Sequence, residues 1–182
     1  MTLFGAGLMS EVLVDQLLKR EENIIHICDS LLENASRLAN KNTSRCLAYQ
    51  VNASEKEEVR TLVRLSRLSV SLLPAMFHDI VATCCLEESR HLTTASYLSE
   101  HLKSLHSQVK DNNLTFIGEC GLDPGLDHMM AMKLIDSLGA TSVMEYESWC
   151  GGLISPEHCD NPVGYKFSWS PAGALKALLN PA

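Results

Sequence analysis

A chain of 182 residues is long enough for one domain with a sizeable core and the start of a second. Its composition, 46% hydrophobic and 20% charged, is that of an ordinary folded domain, and no apolar run approaches the roughly 20 residues of a membrane span. The net charge of −7 argues against binding nucleic acid through a basic surface.

The first segment, Thr2-Leu3-Phe4, is apolar, reads as a strand and ends in Gly5-Ala6-Gly7. Apolar residues on helical spacing follow from Glu11 to Arg20, then a second short apolar run, Ile24 to Cys28, closed by Asp29. Ser30 to Asn40 reads as a helix with Ser30 as N-cap and Glu33 completing a capping box. Cys46 to Val51 reads as a strand, and Ser54 with Glu57 is expected to start a helix that runs to Arg67. A strand from Leu68 to Leu73 is stopped by Pro74. A helix from Phe77 to Leu86, a strand from His91 to Ala95, a helix from Leu98 to Lys110 and a strand from Leu114 to Ile117 complete the alternation. Beyond a turn-rich loop, Gly121 to Gly125, come an apolar helix from Leu126 to Leu138 and a strand-like stretch from Ser142 to Trp149.

Strands alternating with helices at this spacing predict an α/β fold: a doubly wound parallel sheet, the Rossmann type, over 1–125. The beginning of an incomplete α+β substrate domain is expected over 126–182. Met1 lies inside the first predicted strand, so no targeting segment is expected and the sequence by itself reads as cytoplasmic. Both ends read as those of a truncated chain, since the last residues fall inside what looks like a further helix.

Strand, glycine turn, helix, strand and terminal acid together form the first half of a dinucleotide site. Gly5 and Gly7 let the backbone approach a pyrophosphate at a helix N-terminus, and Asp29 would accept bonds from ribose hydroxyls. An anion there repels a 2′-phosphate, so NAD is expected in preference to NADP. The sixth position of the motif is Ser10 where a third glycine is usual.

Other groups are weaker. Leu73 ends its strand at a crevice position, though Pro74 also serves as a plain terminator. Ser96 stands at a crevice position too, and equally suits the N-cap of the next helix. Asp123 is a site candidate, whereas Asp127 has an ordinary place in a helix first turn. His101 and His106 read as solvated, and His128 has a bland reading as a buried core group. Cys150 precedes two glycines but is equally a packing residue. The seven cysteines, with no Cys-x-x-Cys spacing, read as reduced thiols, and no metal site is expected.

Taken in order, several runs resemble saccharopine dehydrogenase of the NAD-dependent, L-glutamate-forming type. They are Ser71 to Pro74, Thr94 to Tyr97, Gly118-Glu119, Gly121 to His128, Cys150 to Gly152, Pro156-Glu157 and Tyr165 to Ser170. The resemblance implies oxidation of the secondary amine of saccharopine to an imine, hydrolysed to L-glutamate and α-aminoadipate semialdehyde in lysine degradation. It implies NAD contacts from Ala6, Asp29, Glu33, Leu73, Ala95, Ser96, Leu122, Asp123 and Pro124 beside Gly5 and Gly7. It implies substrate contacts from Ser96, Tyr97 and Asp123, with Tyr97, Asp123 and Cys150 as the polar groups nearest the reacting carbon.

By the same resemblance the protein belongs in the mitochondrial matrix, is fused to or associated with a lysine-ketoglutarate reductase, and can form an oligomer. The family's second domain also supplies an arginine for the substrate carboxylates from beyond Ala182. Val12 and Asp79 stand where the family has proline. Two alternatives stay open, a nucleotide-binding fragment without turnover and a related amine dehydrogenase.

Overall fold

The computed structural model describes residues 1–139, 142–149, 154–162, 164 and 166. Its first unit is built on β1 (Thr2–Phe4), α1 (Leu8–Leu18), β2 (Ile25–Asp29), α2 (Leu32–Ala39), β3 (Cys46–Gln50) and α3 (Lys56–Val63). The chain continues through β4 (Leu68–Ser71), a 3-10 turn (Ala75–Phe77), α4 (His78–Glu87), β5 (His91–Thr94), α5 (Glu100–Ser104), α6 (His106–Asp111), β6 (Phe116–Ile117) and α7 (Leu126–Ser137). The six strands are all parallel, in the order β3-β2-β1-β4-β5-β6. Strand order reverses between β1 and β4, the place where such sheets open a ligand crevice beyond their carboxyl ends.

Strand periodicity explains the two cores. Leu3, Ile27 and Val70 stand side by side in register, with Ile25 on the same face. They pack against Val14 of α1 and Ala35 and Leu38 of α2. One residue on, Phe4 and Cys28 turn to the other face and meet Val59 and Val63 of α3, Val81 and Cys85 of α4, Leu102 of α5 and Val109 of α6. Fully burying a side chain such as Phe4 or Ile27 stabilises the fold by roughly 1.5–3 kcal/mol. The doubly wound sheet expected from the sequence is therefore present.

The helix starts differ from the sequence expectation for one recurring reason: a neighbouring polar group takes the capping role. At α2 the N-cap position is Leu31, not Ser30, and no capping box forms with Glu33. Instead Asp29 Oδ1 accepts from the Leu31 amide at 3.0 Å and from Asn34 Nδ2 at 3.2 Å. At α3, Asn52 organises the turn. Its Oδ1 accepts from the Ser54 amide at 3.1 Å, and Glu58 rather than Glu57 reaches back to the Asn52 amide at 2.8 Å. That helix ends at Val63 instead of Arg67.

The single helix expected from Leu98 to Lys110 is two, α5 and α6, with Leu105 between them. Ser104 Oγ donates to the His101 carbonyl at 2.7 Å and so competes with the Leu105 amide for it. The N-cap of α5 is Ser99, not Ser96. Ser99 Oγ accepts from the Leu102 amide at 3.0 Å and donates to Asp79 Oδ1 at 2.5 Å. Ser99→Ala should therefore cost about 1 kcal/mol in urea unfolding, and Ser96→Ala should lack this capping loss. A Ser99→Ala variant as stable as the unmodified chain would contradict the assignment.

The chain forms two compact units, Met1–Gly139 and Ala140–Ala182, so α7 lies in the first. In the second, the stretch from Ser142 to Trp149 is not a strand. None of these residues joins a strand, and Met144 and Trp149 are exposed. A 3-10 turn at Pro156–His158 follows, with Ser155 Oγ 2.9 Å from His158 Nδ1.

Candidate active site

Gly5 sits at φ +98°, and a Cβ there would lie 2.9 Å from the Leu72 carbonyl oxygen, so glycine is required by both backbone and neighbour. Its own carbonyl accepts from Ser10 Oγ at 2.6 Å. Gly7 is the N-cap of α1, and the space where its Cβ would stand is empty to 4 Å. Among the described residues the amides of Gly7, Leu8 and Met9 have no acceptor. Free amides, open space and the positive end of an 11-residue helix suit a pyrophosphate.

Asp29 ends β2 beside this turn. Its Oδ2 accepts from the Ala6 amide at 2.8 Å, while Oδ1 takes the two bonds to Leu31 and Asn34. The carboxylate thus holds the glycine turn and α2 together while its edge stays partly exposed. Next to it, at the ends of β2 and β3, a cleft of about 480 Å³ is lined by Ser30, Gln50, Val51, Asn52 and Glu58. Gln50 Nε2 donates to the Ser30 carbonyl at 3.0 Å across its floor. Glu33 is exposed on the first turn of α2 and joins none of these bonds. Beside the turn, Arg37 donates to the Ala6 carbonyl at 3.4 Å and pairs with Glu11 at 3.2 Å.

Beyond β4, Leu73 is half-buried and packs on the core that contains Phe4 and Cys28. The site residue that sequence reasoning missed is His78, the first residue of α4 and only 2% exposed. Its Nδ1 lies 2.8 Å from Ser71 Oγ, and its Nε2 2.8 Å from Ser96 Oγ. Thr94 Oγ1 lies within 3.3 Å of both ring nitrogens. Burial holds the imidazole below its ordinary pKa, opposed by the Asp79 carboxylate. A lone histidine shortly after the strand-ending Pro74 was the available signal. Its partners lie 7 to 18 residues away, at the ends of two strands.

The loop after β6 closes on itself: the Gly121 amide donates to the Pro124 carbonyl and the Leu126 amide to the Gly121 carbonyl, both at 3.0 Å. Asp127 Oδ1 accepts from the Gly125 amide at 2.8 Å, a structural role at the start of α7. His128 is exposed rather than buried. Ala95 abuts Gly121, Leu122 is exposed, and Pro124 is buried behind a cis peptide bond. This loop brings Asp123 to Tyr97, whose hydroxyl donates to Asp123 Oδ1 at 2.9 Å. The hydrogen bond to Asp123, helped by slight burial, holds the phenol above its ordinary pKa, so Tyr97 keeps its proton near neutral pH. Of the three polar groups expected near the reacting carbon, two are adjacent. Cys150 lies outside the described residues.

Residues 1–117 match the family model described as the saccharopine dehydrogenase NADP binding domain, and residues 121–182 the saccharopine dehydrogenase C-terminal domain. The chain therefore belongs to the saccharopine dehydrogenase family of oxidoreductases. Mouse mitochondrial alpha-aminoadipic semialdehyde synthase is 42% identical over 184 residues, covering 99% of this chain and 20% of that protein. Saccharopine dehydrogenase [NADP(+), L-glutamate-forming] of Saccharomyces cerevisiae is 33% identical, over 99% of this chain and 40% of that one. The solved apo structure of the L-Glu-forming saccharopine dehydrogenase from Saccharomyces cerevisiae superposes with a TM-score of 0.85 at 32% identity, over 97% of this chain and 40% of that one. The chain thus spans a fifth to two fifths of these relatives' length. An NAD binding oxidoreductase from Klebsiella pneumoniae, 14% identical with a TM-score of 0.55 over 75% of this chain and 38% of that one, shares the fold alone.

Proposed function

We propose that this chain provides the dinucleotide half and part of the substrate half of an NAD-dependent saccharopine dehydrogenase forming L-glutamate. The reaction is oxidation of the secondary amine of saccharopine to an imine, which water hydrolyses to L-glutamate and α-aminoadipate semialdehyde. The observation that carries it is the Tyr97–Asp123 pair, joined at 2.9 Å beyond the carboxyl ends of the same sheet that presents the Gly5–Gly7 turn. NAD, when bound, supplies the hydride acceptor.

The residues divide the remaining work. The amides of Gly7, Leu8 and Met9 meet the pyrophosphate, Asp29 the adenosine ribose, and the Ser30–Gln50–Asn52 cleft the adenine. Tyr97, whose one hydroxyl hydrogen is held on Asp123, offers the substrate its phenol oxygen as an acceptor for an amine N–H, and Asp123 orients an amine or a water through its free oxygen. Asp29 also favours NAD over NADP, because its charge repels a 2′-phosphate and the neighbouring Arg37 and Lys41 are both paired with Glu11. Mitochondrial residence and a fusion to lysine-ketoglutarate reductase follow the mammalian relatives and belong to the same proposal, as does a domain boundary near residue 125.

Calorimetric titration of the 182-residue chain should show binding of NAD. In the full-length enzyme that carries it, saccharopine should drive the rise in NADH absorbance. Tyr97→Phe and Asp123→Asn should each slow that rise by roughly one to two orders of magnitude. Absence of saccharopine-dependent NADH formation by the full-length enzyme would sink the proposed reaction.

A further inference from the structure

Ser71, His78, Thr94 and Ser96 form one buried chain of hydrogen bonds whose direction can be derived. The Ser71 hydroxyl is fully buried, and among the described residues its one hydrogen-bond partner is His78 Nδ1 at 2.8 Å. A buried hydroxyl hydrogen needs an acceptor, and here the sole candidate is that ring nitrogen. Nδ1 is therefore bare, and the ring hydrogen sits on Nε2. Thr94, 2% exposed with Oγ1 3.3 Å from Nδ1 and 3.2 Å from Nε2, is satisfied by either tautomer, so Ser71 makes the choice.

The consequence falls on Ser96. Nε2–H points to Ser96 Oγ at 2.8 Å, so this oxygen accepts and its own hydrogen is free. Ser96 is only half-buried, at the carboxyl end of β5, with its carbonyl held by the Glu119 amide at 3.0 Å and its amide 3.4 Å from Thr94 Oγ1. Its backbone is fixed on both sides, so the hydroxyl hydrogen is the one part that can turn toward the crevice.

We propose that His78 is a positioning residue. As the Nε2–H tautomer it commits Ser96 to donate its hydroxyl hydrogen to an acceptor oxygen of the bound ligand, a carboxamide or a carboxylate. With the opposite tautomer Ser96 would spend that hydrogen on the ring and offer the crevice only lone pairs. The inference rests on the functional reading above for the ligand, but not for the tautomer. The lowered pKa of His78 agrees with a neutral ring at physiological pH.

Long-range proton–nitrogen correlation spectra of the 15N-labelled chain distinguish the two neutral tautomers, with His78→Gln to assign the signal. The Nε2–H pattern is expected for His78 without any ligand, and the Nδ1–H pattern overturns the proposal. In the full-length enzyme, His78→Phe and Ser96→Ala should each weaken ligand binding about three- to tenfold, the worth of one neutral hydrogen bond. The double variant should lose no more than either single one. His78→Gln, whose carboxamide nitrogen can still donate to Ser96, should recover most of the loss.

A change in the Kd for NAD places the acceptor oxygen on the cofactor carboxamide, and a change confined to the KM for saccharopine places it on a substrate carboxylate. Additive losses, or no loss in either constant, overturn the positioning role. Failure of the unmodified chain to bind NAD would remove the cofactor reading and leave the tautomer result standing.

Discussion

Asp29→Ala is expected to weaken NAD binding by about two orders of magnitude and to narrow the preference for NAD over NADP. Two losses combine. Charge-assisted bonds to ribose hydroxyls are worth roughly 1.5–3 kcal/mol each. The variant also orphans the Ala6 amide, on a residue only 1% exposed, together with the Leu31 amide and Asn34 Nδ2, so the turn loosens. Absolute affinity therefore mixes electrostatics with turn geometry. The ratio of NAD to NADP affinities separates them, because damage to the turn weakens both ligands alike, whereas repulsion of a 2′-phosphate acts on NADP alone. Calorimetric titration of both nucleotides gives that ratio, and an unchanged value in the variant would refute the discriminating role of Asp29.

Gly125→Ala should be the most disruptive change in the loop after β6. The residue sits at φ +143°, and an added Cβ would press on the carbonyl oxygens of Glu119 and Gly121 and stand 2.9 Å from the Gly121 nitrogen. Backbone strain of that kind costs about 1–3 kcal/mol before any clash is counted. Asp123 would lose its fixed place, and Tyr97 would lose the bond that holds its phenol high. Titration of tyrosinate absorbance, with Tyr97→Phe to assign the signal, should show that phenol returning toward its ordinary value near 10. A variant with unaltered urea stability and an unaltered Tyr97 titration would show that the loop does not place Asp123.

The sheet was legible in the sequence because its first two strands are short apolar runs whose residues alternate between two cores. Leu3 and Phe4 show this in adjacent positions. The Gly5 and Asp29 features were legible too, since backbone geometry and strand ends leave local marks. Capping was not. Ser96 and Ser99 are equivalent candidates locally, and the choice is made by His78, which engages the Ser96 hydroxyl, and by Asp79, which engages Ser99. The Tyr97–Asp123 bond joins residues 26 apart, and no local pattern encodes it. The family resemblance named both residues, but only the fold brought them within reach. His78 escaped notice because its meaning lies wholly in partners from two other strands.

The serine at the sixth position of the glycine turn carries a broader lesson about such motifs. Ser10 lies inside α1 at an ordinary helical conformation, is 1% exposed, and closes its hydroxyl on the Gly5 carbonyl. The third glycine of the fingerprint thus answers to a limit on volume, where the first answers to backbone conformation. At 1% exposure Ser10 leaves a bulkier side chain little space, so Ser10→Ala is expected to keep the turn and Ser10→Val to lower stability in urea unfolding. A pattern that insists on glycine there passes over this turn, and one that sets a size ceiling finds it.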